Sequence, residues 1–300
     1  MFTGCGTAMV TPFGRDGAID EATLIRLINR QIDAGIDFLV PCGTTGESPT
    51  LSHEEHLRVV ELTVDVAKKR VPVLAGAGGY NTAEVIALAD ELAAIGVDGI
   101  LSVTPYYNRP TQEGLYQHYR AIASATALPI ILYSVAGRTG VNIEPPTVKR
   151  LAGIDNIIGI KEASGSMSQM AAILNSVPED FLVLSGDDAI ALALIALGGR
   201  GVISVVSNEI PEEMTHLTKF CLKSDFAGAR EIQRRYQALM EVNFVETNPI
   251  PVKTAMAEMG LLEPVWRLPL VPPKVENHER IRNVLASLGL VERVHAAVRN

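Results

Sequence analysis

Lys161 closes the apolar run Ile157, Ile158, Gly159, Ile160 and is followed by Glu162, Ala163, Ser164 and Gly165, so its amine stands at the end of a segment that reads as buried. Lysines are rarely buried unless they are paired or employed. A free lysine, with a pKa of about 10.4, is almost wholly protonated at pH 7. Desolvation at the mouth of a fold lowers that value and turns the amine into a nucleophile toward a carbonyl, the opening step of Schiff-base chemistry. A buried ion pair with Glu162 is the competing reading. Neighbours on a strand point to opposite faces, however, so a strand continuing through Glu162 keeps the two apart. On residue types alone, Lys161 is a Schiff-base former, a substrate-binding cation or a structural one.

Other clusters could serve a small anionic substrate. GTTGES, from Gly43 to Ser48, offers the adjacent hydroxyls of Thr44 and Thr45 and free backbone N–H groups suited to a carboxylate, or else a plain tight turn. TPYYNRP places Tyr106 and Tyr107 between Pro105 and Pro110, which stiffen the backbone, and the pair suits packing at a partner surface. LYSVAGRTG presents Tyr133 at a strand end and Arg138 in a glycine-flanked loop. Arginine forks a carboxylate well, although many loop arginines make only surface salt bridges. Asp187 and Asp188, in SGDDA, read as caps of the next helix rather than as a catalytic pair. GAGG at Gly76–Gly79 is not GxGxxG, and neither a P-loop nor HExxH or Cys/His metal spacing occurs, so no cofactor and no metal are expected.

The elements that must position these residues alternate. Short apolar runs at Thr7–Val10, Phe38–Cys42, Val71–Gly76, Gly99–Val103, Ile130–Ser134, Ile157–Lys161, Phe181–Ser185 and Gly201–Val205 are each followed by helical periodicity. Eight such units predict an α/β fold, a (βα)8 TIM barrel, whose active site forms at the C-terminal strand ends, where the clusters above fall. Ser52 and Glu55 form a capping box ahead of Leu57, Val60 and Val64, and Asp20 is an N-cap ahead of a helix closed by Gly35. Beyond Val205 only helices are expected, over Pro211–Leu222, Asp225–Glu241, Pro251–Met259 and Asn277–Leu288. The division is a barrel over 1–224 and a C-terminal helical region over 225–300.

Composition bounds the partners. The 300 residues are 47% hydrophobic and 20% charged, with a net charge of −8, which disfavours nucleic acid. The longest apolar run, Ala189 to Leu197, is far short of the roughly 20 residues that cross a bilayer, so no membrane span is expected. The first residues read as a strand rather than a signal peptide, and three scattered cysteines suit a reducing compartment, so the cytoplasm is the expected location.

GTTGES, TPYYNRP, LYSVAGRTG and IIGIKEASG in this order, with LSGDD, GGRGVISV and NPIPVK beyond them, resemble the dihydrodipicolinate (4-hydroxy-tetrahydrodipicolinate) synthases of the pyruvate-dependent class I aldolase superfamily. The resemblance spans nearly the whole chain. It implies that Lys161 forms an imine with pyruvate, that Thr45 and its loop hold the pyruvate carboxylate, and that the enamine attacks L-aspartate 4-semialdehyde, in lysine and diaminopimelate biosynthesis. It makes Tyr133 a proton shuttle linked through Thr44 to Tyr107, which reaches in from a neighbouring subunit of a homotetramer built as a dimer of dimers. Arg138 becomes the clamp for the semialdehyde carboxylate, and the Ile203 carbonyl lines the pocket.

The same resemblance maps an allosteric L-lysine site onto Ser48, His53, His56, Tyr80, Glu84 and Tyr106. The chain departs from the common pattern at Tyr80, usually asparagine in lysine-inhibited bacterial enzymes, and at Pro49. It also has Ser134 and Ala136 where Tyr-Asn-Val-Pro is usual, which loosens the backbone that aims Arg138. A sibling aldolase acting on sugar acids and a catalytically silent keto-acid sensor are the rival readings. Arg138 speaks against the first, and the joint presence of Lys161, Tyr133 and Thr44 against the second.

Overall fold

The computed structural model describes residues 1–292. Eight parallel strands form its sheet: β1 (Gly4–Ala8), β2 (Phe38–Val40), β3 (Leu74–Gly76), β4 (Gly99–Val103), β5 (Ile130–Ser134), β6 (Ile157–Glu162), β7 (Leu182–Ser185) and β8 (Gly201–Ser204). Their order is β2-β1-β8-β7-β6-β5-β4-β3. A bridge between Leu39 and Val73, with Leu39 N donating to Pro72 O at 3.0 Å and Gly76 N to Pro41 O at 2.9 Å, brings β2 beside β3. The sheet is thus a nearly closed TIM barrel, as the eight units predict.

Helices α1 (Glu21–Asp33), α2 (His53–Ala67), α3 (Thr82–Ile95), α4 (Gln112–Ala125), α5 (Ala136–Thr139), α6 (Pro145–Leu151), α7 (Met167–Leu174), α8 (Ala191–Ala196) and α9 (Pro211–Leu222) fill the connections. Helices α10 (Phe226–Val242), α11 (Ile250–Glu258) and α12 (Val275–Ser287) follow. The expected end of the C-terminal region, 293–300, lies outside the described residues. Asp20 caps α1 through Thr23 N, and the capping box of Ser52 and Glu55 opens α2.

Strand periodicity sorts the side chains into two cores. Phe2, Phe38, Val40, Leu74, Leu101, Ile131, Tyr133, Leu184 and Ile203 fill the barrel interior. Ile130, Leu132 and Ile160, one residue out of phase with the inward set, face the helices, in a core that also takes Leu239, Val252, Ile281 and Leu285 from the C-terminal helices.

Two expectations need correction. The first strand is Gly4–Ala8, not Thr7–Val10; its apolar signal is thinned by Gly4 and Gly6, and a Cβ on Gly6 would lie 2.1 Å from the Phe38 ring. The two aspartates part company as well. Asp187 caps the next turn through Ala189 N at 2.9 Å, whereas Asp188 is buried and accepts from Val205 N at 2.9 Å and Val206 N at 3.1 Å. Asp188 therefore fixes the exit of β8 instead of capping a helix.

The outer layer holds a group sensitive to acid. His118 on α4 is 6% exposed and meets Thr82 Oγ1 through Nδ1 at 2.9 Å, and its Nε2 has no partner among the described residues. Burial pushes its pKa from 6.5 to about 4. The unfolded chain therefore takes up the proton first, and stability present above pH 6.5 is lost as the pH falls toward 4, by of the order of 3 kcal/mol. His118→Gln is expected to flatten this fall, measured by urea unfolding across that range.

Candidate active site

The C-terminal strand ends surround a cavity of about 800 Å³ lined by Thr44, Tyr107, Arg109, Tyr133 and Arg138 and reaching Ser48 and His56. Lys161 stands next to last in β6, at this end of the barrel, and a register shift turns it inward. Ile130 pairs with Ile157 but Ile131 pairs with Gly159, so a bulge absorbs Ile158 and sets Lys161 opposite Tyr133. Tyr133 belongs to the inward set, and Lys161 beside it shares that face. The lysine is 5% exposed, with its Nζ 4.4 Å from the centre of the Tyr133 ring.

Glu162 faces the other way, as strand alternation requires. It accepts from Gln169 Nε2 at 2.8 Å and from Ser164 N at 3.3 Å, and burial raises its pKa. One boundary of the lysine pocket carried no sequence signal: a Cβ on Gly186 would lie 2.5 Å from the Ala163 Cβ and 3.1 Å from Lys161 Cε. Gly186 leaves the room in which the lysine stem lies.

The Thr44–Thr45 turn is built from backbone bonds, Gly46 N to Gly43 O and Glu47 N to Thr44 O, both 3.1 Å, with Thr11 Oγ1 donating to Gly46 O at 2.7 Å. Thr45 is buried and its hydroxyl accepts from Asn248 Nδ2 at 2.9 Å, while Thr44 is half-buried and lines the cavity. Glu47, with a left-handed φ of 53°, carries the chain out of the turn and is fully buried against Lys253 of α11, whose Nζ donates to Glu47 Oε1 at 2.6 Å. Taking two charges out of water costs several kcal/mol per ion, offset by close pairing.

Lys253 and Lys161 are thus two buried lysines of different kinds. The first is committed to a carboxylate, and the second makes no ion pair among the described residues.

Arg138 lies on the one-turn helix α5 and donates Nη2 to the carbonyl of Asn248 at 3.1 Å. Without a proline at 136, this loop is held by side chains. Ile143 N donates to Ser134 Oγ at 3.1 Å, Thr139 Oγ1 contacts Val141 O at 2.9 Å, and Asn142 Nδ2 donates to Gln169 Oε1 at 2.7 Å. Ser134 thus ties the end of β5 to the far side of the loop at Asn142 and Ile143. Asn248, quoted within NPIPVK but given no role from sequence, joins Thr45 to Arg138 through its side chain and its carbonyl.

Tyr107, Thr44 and Tyr133 all line the cavity, but among the described residues no hydrogen bond joins their hydroxyls within the chain. Tyr107 is 91% exposed on a left-handed φ of 63°, so its ring projects from the loop. Arg109 packs against Gly140, where a Cβ would meet its guanidinium at 2.8 Å, and adds a second cation at the mouth that sequence reasoning missed. Ile203 is fully buried inside the barrel.

Ser48, His56 and Tyr106 share the same cavity. His56 Nε2 meets Gly76 O at 2.9 Å, and burial lowers its pKa. Tyr106 stacks edge-on with Tyr80 at 5.3 Å, and burial raises its pKa, with Tyr80 and Glu84 adding to the shift. His53 instead pairs with Glu91 of α3 at 2.7 Å, bridging the two helices, and Glu84 Oε1 accepts from the α3 N-cap residue, Asn81 Nδ2, at 2.8 Å.

Residues 1–288 match the family described as the dihydrodipicolinate synthetase family. A 4-hydroxy-tetrahydrodipicolinate synthase of Koribacter versatilis is 52% identical over 295 residues, 98% of each chain. The solved chloride-inhibited dihydrodipicolinate synthase of Acinetobacter baumannii complexed with pyruvate is 43% identical, superposes with a TM-score of 0.95 and is matched over 97% of this chain and 100% of that one. The Cyanidioschyzon merolae enzyme with lysine bound is 38% identical at a TM-score of 0.93, over 97% and 99% of the two chains.

Proposed function

The chain belongs to the dihydrodipicolinate synthetase family, and on that premise we propose how its own residues carry out the family's reaction. The chain is a lyase of the class I aldolase type, condensing pyruvate with L-aspartate 4-semialdehyde to 4-hydroxy-tetrahydrodipicolinate, a step of lysine and diaminopimelate biosynthesis. The observation that carries the assignment of roles is a buried lysine, without an ion-pair partner among the described residues, beside a tyrosine at the C-terminal ends of the strands.

Lys161 Nζ attacks the ketone carbon of pyruvate, and loss of water leaves the imine. Removal of a methyl proton gives the enamine, whose carbon adds to the aldehyde of the semialdehyde. The aldehyde oxygen takes up a proton, and the semialdehyde's amine then attacks the imine carbon, closing the ring and releasing the lysine. Thr45 and the backbone of its turn hold the pyruvate carboxylate, and the Ile203 carbonyl borders the bound keto acid. Tyr133 moves the protons, passing them through Thr44 to Tyr107 of a neighbouring subunit. The outward projection of Tyr107 supports that last assignment, and a homotetramer built as a dimer of dimers is the assembly proposed to provide it.

Arg138 clamps the semialdehyde carboxylate. Arg138→Ala is expected to raise the KM for the semialdehyde on the order of tenfold or more, while imine formation with pyruvate is unchanged. Steady-state kinetics with each substrate varied separates the two steps. A sugar-acid substrate turning over faster than the semialdehyde would favour the sibling aldolase.

L-lysine is proposed as a feedback inhibitor bound near Ser48, His56 and Tyr106, with His53, Tyr80 and Glu84 at its rim. The opening of the catalytic cavity toward the first three supports it. An unchanged rate at millimolar L-lysine would remove this reading. The three free, buried cysteines suit the cytoplasm as the site of action.

A further inference from the structure

The hydroxyls of Thr44 and Thr45 are only as well placed as the turn that carries them, and that turn is gripped from one side by the C-terminal helices. Asn248, just before α11, holds the Thr45 hydroxyl at 2.9 Å. One helical turn on, Lys253 Nζ holds the carboxylate of Glu47 at 2.6 Å, and both side chains are fully buried. The free oxygen of Glu47 accepts from Arg267 N at 3.3 Å, and the Lys253 amine lies 4.4 Å from the centre of the Phe13 ring. Arg267 in turn packs over Phe13 at 4.3 Å and forks Glu55 with two bonds of 2.6 Å.

A buried ion pair is a poor means of adding stability, since well-packed apolar residues of similar volume commonly do as well or better. What it supplies is direction: a carboxylate tied to one ammonium and one backbone N–H can take up one orientation only. Glu47 occupies a left-handed φ of 53° and its N–H donates to the Thr44 carbonyl at 3.1 Å, so the orientation of Glu47 is transmitted to the backbone of Thr44.

We propose that the Lys253–Glu47 pair is a positioning device that holds the Gly43–Glu47 turn in the shape in which Thr45 and the turn's backbone receive the keto acid's carboxylate. The proposal rests on Thr45 as the carboxylate-holding residue and Lys161 as the imine former. Neither Lys253 nor Glu47 touches substrate; both act through the turn.

The test compares wild-type enzyme with Lys253→Met, the double variant Glu47→Gln/Lys253→Met and Lys253→Arg, each as the full chain. The single Met variant strands a buried carboxylate and serves to report that cost. The double variant removes both charges with little change of volume and is expected to fold, with a melting temperature close to that of wild type. Its pyruvate concentration for half-maximal borohydride trapping should rise by about tenfold, while its KM for the semialdehyde stays within about twofold. Lys253→Arg, which keeps the charge, should recover part of the pyruvate affinity.

A folded double variant that binds pyruvate as wild type does would overturn the proposal. So would a double variant that fails to fold, because the pair would then be holding the fold rather than the turn. Wild-type enzyme that pyruvate and borohydride do not label would instead refute the role of Lys161, and the two failures are told apart by that control.

Discussion

Lys161→Ala is expected to lower kcat by at least about 10⁴-fold, because the remaining residues can bind both substrates but cannot form the covalent enamine. No other amine can stand in for it. Lys253, the other buried lysine of the site region, is held by Glu47 at 2.6 Å and is committed to that carboxylate. The variant should remain folded. Lys161 makes no ion pair among the described residues, so its removal strands no counter-charge, and the loss is confined to a stem lying along Gly186. Rate assays together with thermal unfolding check both halves of this expectation; a low rate accompanied by collapse of the fold would make the lysine structural.

Tyr133→Phe should lower kcat by about 10² to 10³-fold, the range in which positioned proton donors and acceptors contribute. The ring that packs 4.4 Å from the lysine amine is retained, so the environment of Lys161 changes little. Pyruvate should still label the enzyme on borohydride treatment, more slowly. A variant with unchanged kcat would assign the proton transfers elsewhere, with Thr44 and the neighbouring Tyr107 the first groups to test by the same assay.

The barrel was legible because its strands are short, apolar and separated by capped helices, and those properties are local. β4 and β5 fall where periodicity puts them, and the capping box at Ser52 stands as expected. β1 was misplaced because Gly4 and Gly6 dilute its apolar signal while making the room that Phe38 fills. The site divides in the same way. Lys161, Tyr133, Thr44, Thr45 and Arg138 are readable as chemistry at strand ends, and the structure gathers them at one end of the barrel.

The supports of the site were not legible. Asn248 and Thr45 are 203 residues apart, and Lys253 and Glu47 are 206 apart, so no spacing rule could join them. The bulge at Ile158 was hidden too, since an apolar run looks the same whichever of its residues is inserted. Residues beyond 225, set apart as a helical appendage by their periodicity, supply these supports and share the outer core with the strands. Among the described residues the path from Tyr133 to Tyr107 is not closed by hydrogen bonds within one chain, and the relay proposed to run between two chains could not be read from the spacing of one.

The central claim is that Lys161 is the amine that captures the keto acid. Enzyme incubated with pyruvate and sodium borohydride, digested and analysed by mass spectrometry, is expected to carry the mass of one reduced pyruvate on the peptide containing Lys161, and Lys161→Ala to carry none. Label on Lys253 or another lysine, or no label at all, would contradict the account.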